Sequence, residues 1–206
     1  MAEPARLYLA SASPRRLALL REAGLDPVPR PTGVPEYPVE GESSREQVLR
    51  LAREKGRHAI EFLAANGERG LVLAADTAVV LDGIVLGKPA DDEDAASMLR
   101  RLAGRTHEVL TGVFLARIGD GRWAEGAGCT RVTFHPYDEG TIAWYVATGE
   151  PRDKAGAYGI QGRGAALVEG REGSWSNVVG LPMEILPGLY LEIGEAWPVR
   201  PPPPGA

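Results

Sequence analysis

Leu7-Tyr8-Leu9-Ala10-Ser11-Ala12-Ser13-Pro14-Arg15-Arg16 is the stretch that sets the class of this fold. Its apolar start fits a short buried strand. The strand breaks into two serines, and an apolar-periodic stretch with Leu17, Leu19 and Leu20 follows. Ser13 has the character of a helix N-cap. Pro14 fits the first helical position, where its missing N–H is no loss. The chain therefore passes from strand to helix through a tight polar loop, with two arginines on the first helical turn. Free backbone N–H groups, the positive end of the helix dipole, hydroxyls and guanidinium groups converge there, as in a phosphate site at a helix N-terminus. An ordinary connection with solvent-exposed arginines has the same local pattern, so this segment alone does not assign a function.

Beyond this stretch strands and helices alternate, which points to an α/β protein. Gly24 fits a helix C-cap. Pro27 to Pro31 is a short extended run, and a polar loop with Glu36 follows. Ser43-Ser44-Arg45-Glu46 forms a capping box, predicting a helix to about Asn66 with Val48, Leu51, Ala52, Ala59, Phe62 and Leu63 as its apolar stripe. Leu71 to Leu81 reads as a buried strand, with Asp82-Gly83 as its hairpin turn and Ile84 to Leu86 as the return. Asp91 to Asp94 supply an acidic helix start, Ala95, Met98, Leu99 and Leu102 its stripe, and Gly104 its stop. Two strands, about 107–118 and 122–135, flank Gly119-Asp120-Gly121. A helix at about 138–147 contains Ile142, Trp144, Tyr145 and Val146. The glycine-dense stretch 149–173 has the build of a functional loop. A last helix includes Met183 to Leu191. One domain is expected over 1–197. The proline-rich tail at 198–206 is expected to be disordered or extended.

Bulk properties narrow the function. The chain has 206 residues, 44% hydrophobic and 25% charged, so it can bury one sizeable core or two small lobes. A net charge of −5 argues against a nucleic-acid polymer or an anionic membrane as partner. A polyanionic ligand then needs a local basic cluster, helped by a metal ion. The one cysteine, Cys129, excludes an intrachain disulfide and fits a reducing compartment, with a buried inert thiol the expectation. No secretory signal or membrane-length apolar run is present, so cytoplasm is expected. Among 23 basic residues only Lys55, Lys88 and Lys154 are lysines. In so arginine-biased a chain, lysine marks positions where a compact point charge is needed and a planar fork does not fit.

Asp76 is the sharpest acidic candidate, because it interrupts an apolar strand where an unpaired carboxylate is expensive. It must meet a metal, a cation or a substrate. A structural pairing with an arginine would leave the same pattern. A carboxylate at this place can hold Mg²⁺ or take a proton from an attacking water. Gly83 to Pro89 fails the P-loop pattern, with three residues between its glycines and Pro89 where Ser or Thr must stand, although Lys88 can reach a phosphate as a point charge. His58, His107 and His135 form no metal-spaced pair and read as structural or exposed. Ser174-Trp175-Ser176 lacks the context of a nucleophile elbow.

Four blocks in order are similar to the Maf family of nucleoside triphosphate pyrophosphatases. They are Ser11 to Arg16; Arg53-Glu54-Lys55; Ala75-Asp76-Thr77 with Gly87-Lys88-Pro89; and Asp153 to Gly162 leading to Val179-Gly180-Leu181-Pro182. The resemblance runs from Leu7 to about Leu186 and takes in all three lysines. It implies an elongated mixed β-sheet flanked by helices, in two lobes around a nucleotide cleft. It implies Mg²⁺- or Mn²⁺-dependent cleavage between the α- and β-phosphates, giving a nucleoside monophosphate and pyrophosphate. It makes Asp76 the general base and, with Glu36, a metal ligand. It places Ser13, Arg16, Glu36, Lys55 and Lys88 around the phosphates and metal. Arg15, Thr77 and Gln161 match the subgroup that prefers dTTP and UTP. A glutamine amide offers one donor and one acceptor, which suits a uracil or thymine edge. A homodimer is also implied. The rival readings are a pyrophosphatase for modified nucleotides and a non-enzymatic nucleotide-binding regulator of septum formation.

Overall fold

A computed structural model describes residues 5–198. Apart from Pro198, the expected tail lies outside the described residues. The described chain runs β1 (Leu7–Leu9), α1 (Pro14–Glu22), β2 (Val28–Pro29), α2 (Ser44–Ala65), β3 (Leu71–Leu81), β4 (Ile84–Leu86), α3 (Asp92–Leu102), β5 (Thr106–Arg117), β6 (Trp123–Phe134), α4 (Glu139–Ala147), β7 (Val168–Glu172), α5 (Trp175–Val179) and α6 (Leu186–Glu192). The strands form one seven-stranded mixed sheet in the order β2-β1-β3-β5-β6-β7, with β4 added to β3. β1 runs parallel to β2 and β3, and the remaining pairs are antiparallel.

Local chemistry sets the element ends. The Ser13 side chain caps α1 and Pro14 opens it. Ser43 and Glu46 close the capping box of α2 reciprocally. Asp82 and Gly83 take φ of 52° and 77°, the pair of left-handed residues that a tight hairpin matching the strand twist requires.

The core has a waist. On one face of the sheet α2 covers β3 and β5, packing Ala52, Ala59 and Leu63 against Val72, Ala74 and Phe114. The opposite face carries two separate apolar clusters. One joins Leu71, Leu73, Ala75 and Val113 to α1 and α6. The other joins Val79, Leu81 and Val109 to α3, α4 and Tyr158. Between them, Thr77 and Thr111 face each other across β3 and β5. This polar rung divides the two lobes that the sequence led us to expect.

Several expectations need correction. Phe62 was placed in the α2 stripe but is 59% exposed, because it lies on the helix flank turned from the sheet. Trp144 on α4 is likewise exposed. Cys129 is exposed rather than buried, since β6 turns its even-numbered residues Thr130, Val132 and Phe134 inward and the odd-numbered ones outward. The glycine-dense stretch ends in an edge strand, β7, and a short helix, α5, neither anticipated. β7 is exposed over Glu169 to Glu172 and so has no apolar alternation to read.

His107 is 2% exposed, and burial pushes its pKa down to about 4. An unfolded histidine titrates near ~6.5. Between these values the unfolded chain binds a proton that the native chain does not. Stability from this source therefore falls as pH drops through that window and is level above it, by at most about 3 kcal/mol. His107→Gln removes the contribution. Urea unfolding at pH 7.5 and 4.5 should show wild type losing more stability than the variant. Parallel losses would place the acid sensitivity elsewhere.

Candidate active site

β3 is longer than its neighbours on one edge. Residues 71–73 pair with β1 and residues 79–81 with β4. Among the described residues no strand pairs with 74–78 on that edge, while β5 covers the other. The Ser11–Ser13 loop and the first turn of α1 run into this gap, where a cavity of about 420 Å³ opens. Every residue that the family resemblance assigned to catalysis, substrate or metal lines it.

Arg16 ties the loop to the sheet waist. Its Nε donates to the Gly180 carbonyl at 2.7 Å, one Nη to Ser11 Oγ at 3.0 Å and the other to Thr77 Oγ1 at 2.9 Å. These bonds use three of five N–H donors, so two remain for a ligand. Thr77 continues the chain of bonds to Thr111 at 3.0 Å, and Thr111 donates to the Asn177 carbonyl. Burial lowers the Arg16 pKa, against the pull of Asp76. Arg15 reaches across the cleft to Asp153 at 3.0 Å, and Lys154 holds the other Asp153 oxygen at 2.6 Å. Asp153 thus draws two cations to the rim.

Asp76 is 7% exposed and carries the expected partner, a cation. The cation is Lys55 rather than an arginine, with Nζ 2.6 Å from Asp76 Oδ1 and 2.6 Å from Glu36 Oε1. One partly buried ammonium bridges two carboxylates from β3 and from the loop before α2. Burial raises the Asp76 pKa, while Lys55 and Arg16 pull against it. For Glu36 burial also pushes upward, but the hydrogen bond and charge of Lys55, with Lys88 and Arg16, outweigh it, and the carboxyl lies below its usual range.

Two glycines make this contact possible, and neither stood out in the sequence. Gly112 on β5 lies opposite Asp76. A Cβ there would stand 2.4 Å from the Val48 carbonyl oxygen on α2. At Gly56, the neighbour of Lys55, a Cβ would stand 2.2 Å from the Phe114 ring. Helix and sheet are in backbone-level contact, which brings Lys55 onto Asp76.

Lys88 and Gln161 are exposed on the second lobe and face the same cavity. Lys88 takes part in no ion pair among the described residues. No set of three or more His, Cys, Asp or Glu side chains capable of holding a metal is present among the described residues. Glu36 and Asp76 alone suit Mg²⁺ or Mn²⁺ of the kind that keeps several waters and takes further oxygens from substrate phosphates. Asp153, Thr111 and Asn177 were missed as site-shaping residues. Only Asp153, within a quoted block, carried any signal in sequence.

The family model described as Maf-like protein matches residues 6–190. The chain belongs to the Maf family. A dTTP/UTP pyrophosphatase of Anaeromyxobacter sp. (strain Fw109-5) is 52% identical over 196 residues, 94% of this chain and 92% of that one. A dTTP/UTP pyrophosphatase of Myxococcus xanthus (strain DK1622) is 50% identical over 200 residues, 97% and 98% of the two chains. One from Nitratidesulfovibrio vulgaris is 50% identical over 189 residues, 91% and 88%. A crystal structure of a dITP/XTP pyrophosphatase from Mycobacterium abscessus is a far more distant likeness, with a TM-score of 0.38 and 20% identity over 63% of this chain and 72% of that one. No helix among the described residues is long and apolar enough to cross a membrane.

The glycine contact is testable within this Maf chain. Gly112→Ala should push α2 off the sheet, costing about 1–3 kcal/mol, and should break the Lys55–Asp76 contact. Gly188→Ala on α6 meets nothing within 4 Å and should leave stability level or slightly higher. Thermal unfolding of both variants checks this. Equal behaviour would mean that the close approach does not matter.

Proposed function

We propose that this protein is a nucleoside triphosphate pyrophosphatase acting on dTTP and UTP. The observation that carries the reading is the Lys55-bridged pair Asp76 and Glu36, set in the sheet gap opposite the Ser11–Arg16 loop. The relatives' names supply the substrate pair. The exposed Gln161 amide at the rim supplies a donor and an acceptor for a pyrimidine edge.

In this reading the triphosphate lies along the gap. The N-terminus of α1, Ser13, Arg15 and the two spare N–H groups of Arg16 bind its oxygens. Glu36 and Asp76 would hold Mg²⁺ or Mn²⁺, and such an ion, when bound, would supply polarisation of the phosphates and a more acidic water. Asp76 accepts a proton from the attacking water. Water oxygen forms a bond to the α-phosphorus, the bond from that phosphorus to the bridging oxygen breaks, and pyrophosphate leaves. Lys88 and Lys55 offset its negative charge. The protein contributes mainly position and electrostatics, as phosphoryl chemistry requires.

Pyrophosphate release from dTTP, UTP, CTP, dATP and GTP, with Mg²⁺ or Mn²⁺ and with chelator, tests this. Release should be metal-dependent and strongest with dTTP and UTP. Binding without release from any of them would contradict it. Asp76→Asn should keep nucleotide binding and lose at least ~10²-fold in kcat. Near-normal turnover would remove Asp76 from the base role. Gln161→Glu should weaken dTTP and UTP selectively, whereas an equal loss across nucleotides would mean that Gln161 only shapes the loop.

A further inference from the structure

The loop that carries Gln161 is held in an unfavourable backbone conformation. Gly156 and Ala157 take φ of 67° and 58° in succession. Glycine accepts this freely, but for an alanine the left-handed region crowds the Cβ against the following carbonyl oxygen. Such a conformation persists only where the surroundings over-determine it. Ala157 is fully buried, and the residue after it is turned inward.

That residue is Tyr158, 5% exposed, whose hydroxyl shares a 2.7 Å hydrogen bond with His107 Nε2. The rings of His107, Phe134 and Tyr158 meet pairwise edge to face, with centroids 4.6 to 5.3 Å apart. His107 and Phe134 stand on β5 and β6, the long strands of the sheet. The Gly159 N–H then donates to the Tyr145 hydroxyl at 3.2 Å, and the Glu150 carboxylate accepts from the N–H groups of Arg163 and Gly164. Gln161 lies between these two anchors, exposed at the cavity rim.

We propose that His107 is a positioning residue for base selection. Through the Tyr158 hydroxyl it fixes the Gly156–Ala157 turn and so sets where Gln161 stands at the cleft. His107 itself is buried within the second lobe and is not among the residues lining the cleft. The inference rests on the reading of Gln161 as the residue that meets the base. It predicts an effect mainly at the base end of the substrate, because Arg16, Lys55 and Asp76 are anchored independently at the sheet waist and only Arg15, through Asp153, is tied to this segment.

The test uses Tyr158→Phe, which keeps the ring and loses the hydroxyl, and His107→Leu, which loses the bond from the other side. His107→Gln offers an amide to the hydroxyl and is the conservative rescue. Kinetics are measured with dTTP, UTP and GTP, together with inhibition by inorganic tripolyphosphate, which has no base. Tyr158→Phe and His107→Leu should raise KM for dTTP and UTP about tenfold, the scale of one hydrogen bond, with kcat little changed. Discrimination against GTP should narrow, tripolyphosphate inhibition should stay constant, and His107→Gln should remain near wild type. Unchanged discrimination, or tripolyphosphate inhibition weakening in parallel, overturns the proposal. If the core variants do not fold, Ala157→Gly relaxes the turn without removing a core ring. It should narrow discrimination in the same direction, and its failure to do so also overturns the proposal. Wild type that does not prefer dTTP and UTP to GTP overturns both this inference and the base-reading role of Gln161. Wild type that does, with variants that still do, overturns this inference alone.

Discussion

The bridge from Lys55 to Asp76 and Glu36 is the interaction on which the rest of the site depends. A carboxylate in the middle of an apolar strand is strongly disfavoured unless a charge meets it. Lys55 supplies that charge from α2 with a compact ammonium whose donors can serve two carboxylates at once, 2.6 Å from each. A planar guanidinium would demand a different approach. The same bridge draws the loop carrying Glu36 onto the sheet, so acidic groups from two separate segments come to share one small volume. All three partners also line the cavity.

The geometry around the bridge follows from two features of the sheet. β3 outruns β1 and stops pairing on that edge until β4 joins it, so five residues, 74–78, border a gap rather than a strand. Asp76 points to the α2 face at that gap and Thr77 to the other. Glycines at 56 and 112 let α2 lie close against the sheet, on the Phe114 ring at 56 and backbone to backbone at 112. On the far face the Thr77–Thr111 rung interrupts the apolar core, and Arg16 is fastened there with the help of Gly180. Polar residues therefore occupy the waist for two reasons at once. They separate the lobes, and they hold the basic group that faces the cavity.

Much of this was legible in the sequence, for identifiable reasons. Ser13-Pro14, the Ser43–Glu46 box and Asp82-Gly83 act through local backbone chemistry, so the elements they bound are visible without tertiary information. Asp76 stood out because it broke an apolar run, and the lysines because arginine is the default cation in this chain. Family resemblance added Glu36, Thr77 and Gln161, which composition and spacing could not single out. What stayed hidden depends on contacts between distant segments. Gly112 in Thr111-Gly112-Val113 looks like any strand glycine until α2 is laid across it. Thr111 and Asn177 are ordinary polar residues until the waist puts them in one hydrogen-bond chain. Phe62 fits a helical stripe by spacing alone, and only the breadth of the α2 contact leaves it outside. β7 is too exposed to carry a pattern, and Cys129 was misplaced because the face of β6 cannot be read from one residue.

In the proposed reaction, water activated at Asp76 attacks the α-phosphorus of a triphosphate held in the sheet gap. The most direct measurement is turnover of dTTP in ¹⁸O-labelled water with excess Mg²⁺, followed by mass analysis of both products. Attack at the α-phosphorus places one labelled oxygen in the nucleoside monophosphate and none in the pyrophosphate. Label in the pyrophosphate, or release of inorganic phosphate in its place, would contradict it.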